Sequence, residues 1–92
     1  MQQFDVAHIR EQGQDLIIVF VSDQVRYMSD QDRAGLSAAL TLCSHSAGLA
    51  GAVVLVWPGG FYSDRRFHAY FESISFDLLT ANINTNLKCD NL

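Results

Sequence analysis

Two short apolar runs interrupt a chain in which polar and apolar positions are otherwise interleaved. The segment "DLIIVFVS" at 15–22 contains six consecutive apolar residues rich in β-branched types, and "GAVVLVWP" at 51–58 is a second run of the same kind. Runs of this length, bounded by turn residues, fit strands that are covered on both faces. Between them the period changes. Leu36, Ala39, Leu40, Cys43 and Ala47 recur at helical spacing and define one apolar face. Ser29 is placed to act as N-cap, with Asp32 three residues on in a capping-box-like pattern. Gly48 suits the left-handed residue that stops a helix. Strand, helix and strand, with both strands buried, predict a parallel βαβ unit with a right-handed crossover.

A second helix is expected after the second run. With Ser63 as N-cap, Tyr62 precedes the cap and Phe67 takes the fourth helical position, which is the hydrophobic-staple arrangement. Phe67, Tyr70, Phe71 and Ile74 then form its apolar face. The segment "FDLLTA" at 76–81 reads as a third, edge strand, followed by a tail that is a short helix or a loose arm. The alternative is one helix over 76–87, because Phe76, Leu79, Ile83 and Leu87 also fit that period; its asparagines weaken it. At the N-terminal end, Phe4, Val6 and His8 alternate, which favours a strand turning at Gln12-Gly13 into the first buried strand. A helix stopped at Gly13 is the other reading. The expected fold is one α/β domain over 1–92: a small two- or three-layer sandwich with a parallel βαβ core, three or four strands and two main helices.

Composition narrows the classes of partner. Ninety-two residues make one domain, and 49% hydrophobic against 17% charged residues is the balance of a packed chain. A chain of this length buries only about 60–65% of its unfolded surface, so self-association is a ready way to cover what is left. The formal charge is −4, with five arginines and one lysine. That argues against nucleic-acid binding, which rests on many cationic contacts to phosphate, and against a polybasic membrane surface. No apolar run approaches the ~20 residues that span a bilayer. The opening "MQQFDVAHIREQ" lacks the charged start and apolar stretch of a signal peptide. Cys43 and Cys89 lie far apart with no CxxC, so both are expected as reduced thiols of a cytoplasmic protein.

Candidate chemistry gathers at "VWPGGFYSDRRF", residues 56–67, where the only proline and a glycine pair end the second run. Ligands of parallel α/β sheets bind beyond the carboxyl ends of the strands. Two loops leave such ends here, "SDQVRYMSD" and "PGGFYSDRR". Gly59 and Gly60 would let backbone approach a ligand, and the following helix start offers free amide donors. Arg65 and Arg66 oppose the dipole in a first helical turn unless a bound anion compensates them. Arg26 would join from the other loop, and Asp23 would hold a cation only if a second carboxylate converged on it. Against this site stands an ordinary strand-to-helix turn. Asp64 already supplies the favourable charge, Asp23, Asp30 and Asp32 share the edge, and no phosphate-loop motif is present. The plain turn is favoured. No catalytic residue, metal ligand or cofactor is expected. His8, His45 and His68 have no partners at metal-ligand spacing, and Cys43 and His45 point apart on one helix. A pairing of Cys43 with His68 across the two helices is a minor alternative.

The apolar surplus says more. Ala38 and Leu42 lie away from the core stripe of the first helix, while Tyr27, Met28, Phe61 and Tyr62 fall in loops at one sheet edge. Exposed together, these would have the composition of an interface; alternatively they fold over the strand ends and finish the core. The expected function is a small non-enzymatic interaction or regulatory module acting through an apolar, aromatic-bearing surface. Its partner is a second copy of itself, as a homodimer, or another protein. The rival is a small-molecule or phosphate-binding protein, with enzymatic activity left open, that uses the two strand-end loops. Convergence of Asp23, Arg26, Arg65 and Arg66 on one concave pocket would separate the two.

Overall fold

The computed structural model describes residues 2–11 and 13–90. It opens with a hairpin: β1 (Gln2–Glu11) runs antiparallel to β2 (Gln14–Phe20), closing at the Glu11–Gln14 pair. Gly13 takes φ 76, the left-handed backbone that a tight hairpin turn requires and a side chain resists. The N-terminal segment is therefore a strand. After a short 3-10 turn at Asp23–Tyr27 come α1 (Asp30–Ser46), β3 (Ala52–Trp57) and β4 (Gly60–Tyr62). A second 3-10 turn, Arg65–Phe67, runs into α2 (His68–Ser73), followed by α3 (Phe76–Ala81) and β5 (Thr85–Cys89).

The strands form one sheet in the order β4-β3-β2-β1-β5. The expected βαβ unit is present, since β2 and β3 are parallel across α1, but the sheet as a whole is mixed: β1–β2, β1–β5 and β3–β4 are antiparallel. Five strands stand where three or four were expected, because a fourth pairs in a tight hairpin after Trp57 and a fifth comes from the tail.

Alternation along the strands builds two cores. Val6, Ile17, Val19, Leu55 and Leu87 pack on the α1 side around Leu40. Ala7, Leu16, Ile18, Val54 and Val56 pack on the other side against Phe67, Phe71 and Leu79. The result is three layers. It explains why β2 and β3 read as unbroken apolar runs, since both faces of each are covered. Gly51, just before β3, lies at φ 131 with its α-carbon so near the Asp15 carbonyl that a β-carbon would come within 2.4 Å of the oxygen. No other residue fits there.

The ends of α1 match the expectation. The Ser29 hydroxyl accepts the Asp32 amide at 3.1 Å. At the other end Gly48 is left-handed at φ 89, its amide bonding His45 O at 3.1 Å, while the Leu49 amide bonds Ser44 O at 3.0 Å. That pair of bonds is a Schellman stop.

Three expectations are corrected. Ser63 does not cap the second helix: the Asp64 carboxylate accepts the Arg66 amide at 3.0 Å and caps the 3-10 turn, α2 follows from Phe67 with no side-chain cap, and it ends at Ser73, with Ile74 extended. Residues 76–81 are a helix rather than a strand, because the Ser75 hydroxyl caps the Leu78 amide at 3.1 Å. That helix does not continue to Leu87. Asn84 diverts the chain into the sheet: its amide donates to Val6 O at 3.1 Å, its side chain donates to His8 O at 2.9 Å, and its side-chain oxygen accepts the His8 amide at 3.0 Å. The tail is thereby an edge strand rather than an arm.

The cysteines also differ from expectation. Cys43 and Cys89 form a disulfide, with Cα atoms 5.9 Å apart across 46 positions of sequence. Leu87 and Cys89 alternate inward from β5 toward α1, where Cys43 sits on the apolar face. The separation in sequence gave no sign of this, because the strand that carries Cys89 was not recognised. Among the described residues no helix is long and apolar enough to cross a membrane.

Candidate functional site

Beyond the carboxyl end of β3, on the side covered by α2 and α3, lies an open groove of about 660 Å³. Its floor comes from Val56 of β3 and Phe61 of β4, which are register partners and therefore share a face. Phe71 walls it from α2, Ile74 from the residue just after that helix, and Phe76 and Leu79 from α3. The aromatic rings brace one another. Phe61 lies 5.7 Å from Phe71 and edge-on to His68 at 5.4 Å, Tyr70 meets Phe71 at 4.9 Å, and Phe76 meets Phe20 at 5.7 Å. Such contacts fix ring positions as well as burying area.

The β3–β4 turn brings backbone to the rim. A β-carbon on Gly60 would lie 2.6 Å from the Trp57 indole nitrogen, so only glycine lets the indole lie against the turn. Arg26 comes from the loop after β2. Its Nε donates to Asp23 at 2.9 Å, and its Nη2 donates to Asp23 and, at 3.1 Å, to Pro58 O. The two strand-end loops are thus clasped together across the sheet. Arg26 and Glu72 are the charged residues of the lining, and that lining carries no Ser, Thr, Cys or His.

Arg33 of α1 holds the Arg26 loop in place. Its Nε donates to Val25 O at 3.0 Å and its Nη2 to Arg26 O, while its guanidinium lies 5.2 Å over the Trp57 ring. Its pairing with Asp30 at 3.3 Å is a surface contact, Asp30 being almost fully exposed. Sequence reasoning passed over Arg33. The available signal was a cation near the start of a helix, the same signal that drew attention to Arg65 and Arg66.

Of the residues singled out in the sequence, Arg26, Gly59, Gly60 and Phe61 meet on this groove. Asp23 stands beside it as the partner of Arg26. Arg65 and Arg66 are outside the lining; both are exposed, and Arg66 pairs with Asp64 at 3.5 Å and lies over the Phe67 ring at 5.1 Å. The aromatic-loop group divides. Met28 and Tyr62 pack against the α1-side core, whereas Tyr27 is 80% exposed. On α1, Ala38 is exposed and Leu42 is 72% exposed. Leu42 borders a second, shallower groove of about 480 Å³ that also includes Ala39, Cys43, Lys88 and Asp90.

The histidines act as braces. His8 bonds Ala50 O at 2.9 Å, His45 bonds Gly51 O at 3.2 Å, and His68 bonds Ser63 O at 3.2 Å. The minor Cys43–His68 pairing is overturned, since Cys43 is bridged to Cys89 while His68 packs on Phe61 in the opposite layer. Tyr70 has its phenol pushed above the ordinary value of 10.0, first by burial and then by the nearby Glu11 carboxylate. Among the described residues no three His, Cys, Asp or Glu side chains gather as a metal site. The groove thus presents the half-buried side chains of Phe61, Ile74 and Phe76 over the buried Val56, Phe71 and Leu79, with Arg26 at one side.

No protein-family model, curated protein or solved structure gives a significant match to this chain.

Proposed function

We propose that the chain is a small non-enzymatic interaction module that receives an apolar segment of another protein in the groove beyond β3. The observation that carries this reading is the lining: Phe61, Phe71, Ile74, Phe76 and Leu79 converge on one open concavity with only two charged residues, Arg26 and Glu72. Aromatic and aliphatic pockets of this kind hold the anchoring side chains of interfaces.

Phosphate or another small anion is the weaker occupant. The position beyond the carboxyl ends of β2 and β3 supports a ligand site. Arg26, however, is already neutralised by Asp23, Glu72 faces the same concavity, and Arg65 and Arg66 lie outside it. Titration of isotope-labelled protein with N-acetyl-phenylalanine amide separates the readings. Amide shifts centred on Phe61, Phe71 and Phe76 support the proposal. Shifts produced by inorganic phosphate at Gly59, Gly60, Arg65 and Arg66, with none from the amide probe, would favour the anion reading.

Self-association is a second reading, and the observation favouring it is Leu42, 72% exposed on the outer side of α1. A cytoplasmic setting belongs to the proposal as well. It requires a Cys43–Cys89 bridge that opens to thiols, because cytosolic thiols keep exposed disulfides reduced.

A further inference from the structure

The Cys43–Cys89 bridge lies on the α1 side of the sheet, away from the aromatic groove. We propose that Cys43 Sγ is a thiol-exchange site, where a small thiol or dithiol opens the bridge and unlatches the edge strand β5 from α1.

The two cysteines differ in exposure. Cys89 is 1% exposed within the core formed by Leu40, Leu87 and their neighbours. Cys43 is partly exposed and lines the shallow groove of about 480 Å³ between α1 and β5. Exchange requires a thiolate to approach the sulfur it attacks, so access selects the site. Lys88, the one lysine of the chain, borders the same groove and attracts an incoming thiolate; Asp90, also on the lining, opposes it. The two charges roughly offset, which leaves access as the deciding factor. The thiolate forms a new S–S bond with Cys43 Sγ. The Cys43–Cys89 bond breaks, and Cys89 leaves as a thiolate that takes a proton. A second thiol of the reductant then attacks the mixed disulfide and releases Cys43. The reductant is oxidised to a disulfide as the protein bridge is reduced to two thiols.

Opening the bridge leaves β5 with fewer ties than any interior strand. Among the described residues it pairs only with β1, through the five register partners from Val6–Thr85 to Gln2–Cys89, and its buried side chains are Leu87 and Cys89. A strand held along one edge opens locally more readily than one paired on both sides. Its departure would bare the outer edge of β1 and the inward face of α1 around Cys43.

The test has two arms on the native protein. With limiting reduced glutathione, acid quenching, alkylation and peptide mapping should find glutathione on Cys43 and the alkyl group on Cys89. Glutathione on Cys89, or no reaction without denaturant, overturns the proposal. In hydrogen exchange, dithiothreitol reduction should lower the protection of amides 85–89 by at least about tenfold more than that of the β2 and β3 amides. The Cys43→Ser/Cys89→Ser variant should reproduce that difference. A loss by the same factor in β5, β2 and β3 would show that the bridge only staples the whole fold, and would refute the latch.

Discussion

Arg33→Ala is expected to loosen the groove from behind, through the Arg26 loop and the Trp57 ring, although Arg33 is not itself in the lining. The side chain is only 20% exposed and serves two backbone carbonyls, Val25 O and Arg26 O, besides covering the Trp57 ring. Hydrogen bonds from a charged donor contribute about 1.5–3 kcal/mol each when largely shielded. The contact with an indole face adds about 0.5–1 kcal/mol. The Asp30 ion pair adds little, because Asp30 stands in solvent. Water can reach the Arg26 carbonyl after truncation, so the lower part of these ranges applies and the loss comes to about 3 kcal/mol. A domain of this size has about 5–14 kcal/mol in total, so the variant folds but is clearly weakened. Arg33→Lys should recover less than half, since a single ammonium cannot reproduce the fork that reaches both carbonyls. Urea titration of the three proteins measures the series. Amide spectra of Asp23–Tyr27 show whether the loop has come free. An Arg33→Ala variant within about 0.5 kcal/mol of wild type, with an unshifted loop, would refute the role assigned to this side chain.

Removing the bridge with Cys43→Ser/Cys89→Ser should lower global stability by about 4 kcal/mol, from the entropy that a closed loop of 46 positions withholds from the unfolded chain; an unchanged denaturation midpoint would contradict this. If the outer side of α1 mediates a homodimer, sedimentation at micromolar concentration should find a dimer that Leu42→Glu dissociates into folded monomers; a wild-type monomer throughout would remove that reading. Tyr70 has a raised pKa in the folded chain, so the native state holds its proton more tightly than the unfolded one. Its contribution to stability is whole below the ordinary value of 10.0 and is lost as pH climbs through that value and the raised native one. Tyr70→Phe should therefore flatten part of the alkaline decline in melting temperature, and an identical decline in both proteins would count against it.

The parts of the fold legible in the sequence are those in which local chemistry and burial agree. The runs at 15–22 and 51–58, the Ser29 cap, the Gly48 stop and the Gly13 turn each follow from one residue type doing what its backbone or side chain favours. The C-terminal third was misread where local preference leaves a tie. Phe76 and Leu79 suit either a strand or a helix, and the deciding group was the Ser75 hydroxyl rather than any apolar spacing. β5 owes its position to long-range partners: Asn84 bonding His8, Leu87 in the core and Cys89 bridged to Cys43. None of these is visible in a window of neighbouring residues. The groove was half legible. Arg26, Gly59 and Gly60 were found from strand-end logic and Phe61 from the apolar surplus at the sheet edge, while Phe71, Phe76 and Leu79 could be added only once α2 and α3 were known to cover that face.

Selection from a random-peptide library displayed on phage reports what the groove receives. Peptides with apolar or aromatic anchors should be enriched. Their binding should be abolished by Ile74→Asp or Phe76→Glu, left intact by Leu42→Glu, and insensitive to inorganic phosphate. Enrichment of acidic sequences that inorganic phosphate displaces would contradict the proposal, as would apolar peptides whose binding survives both groove substitutions.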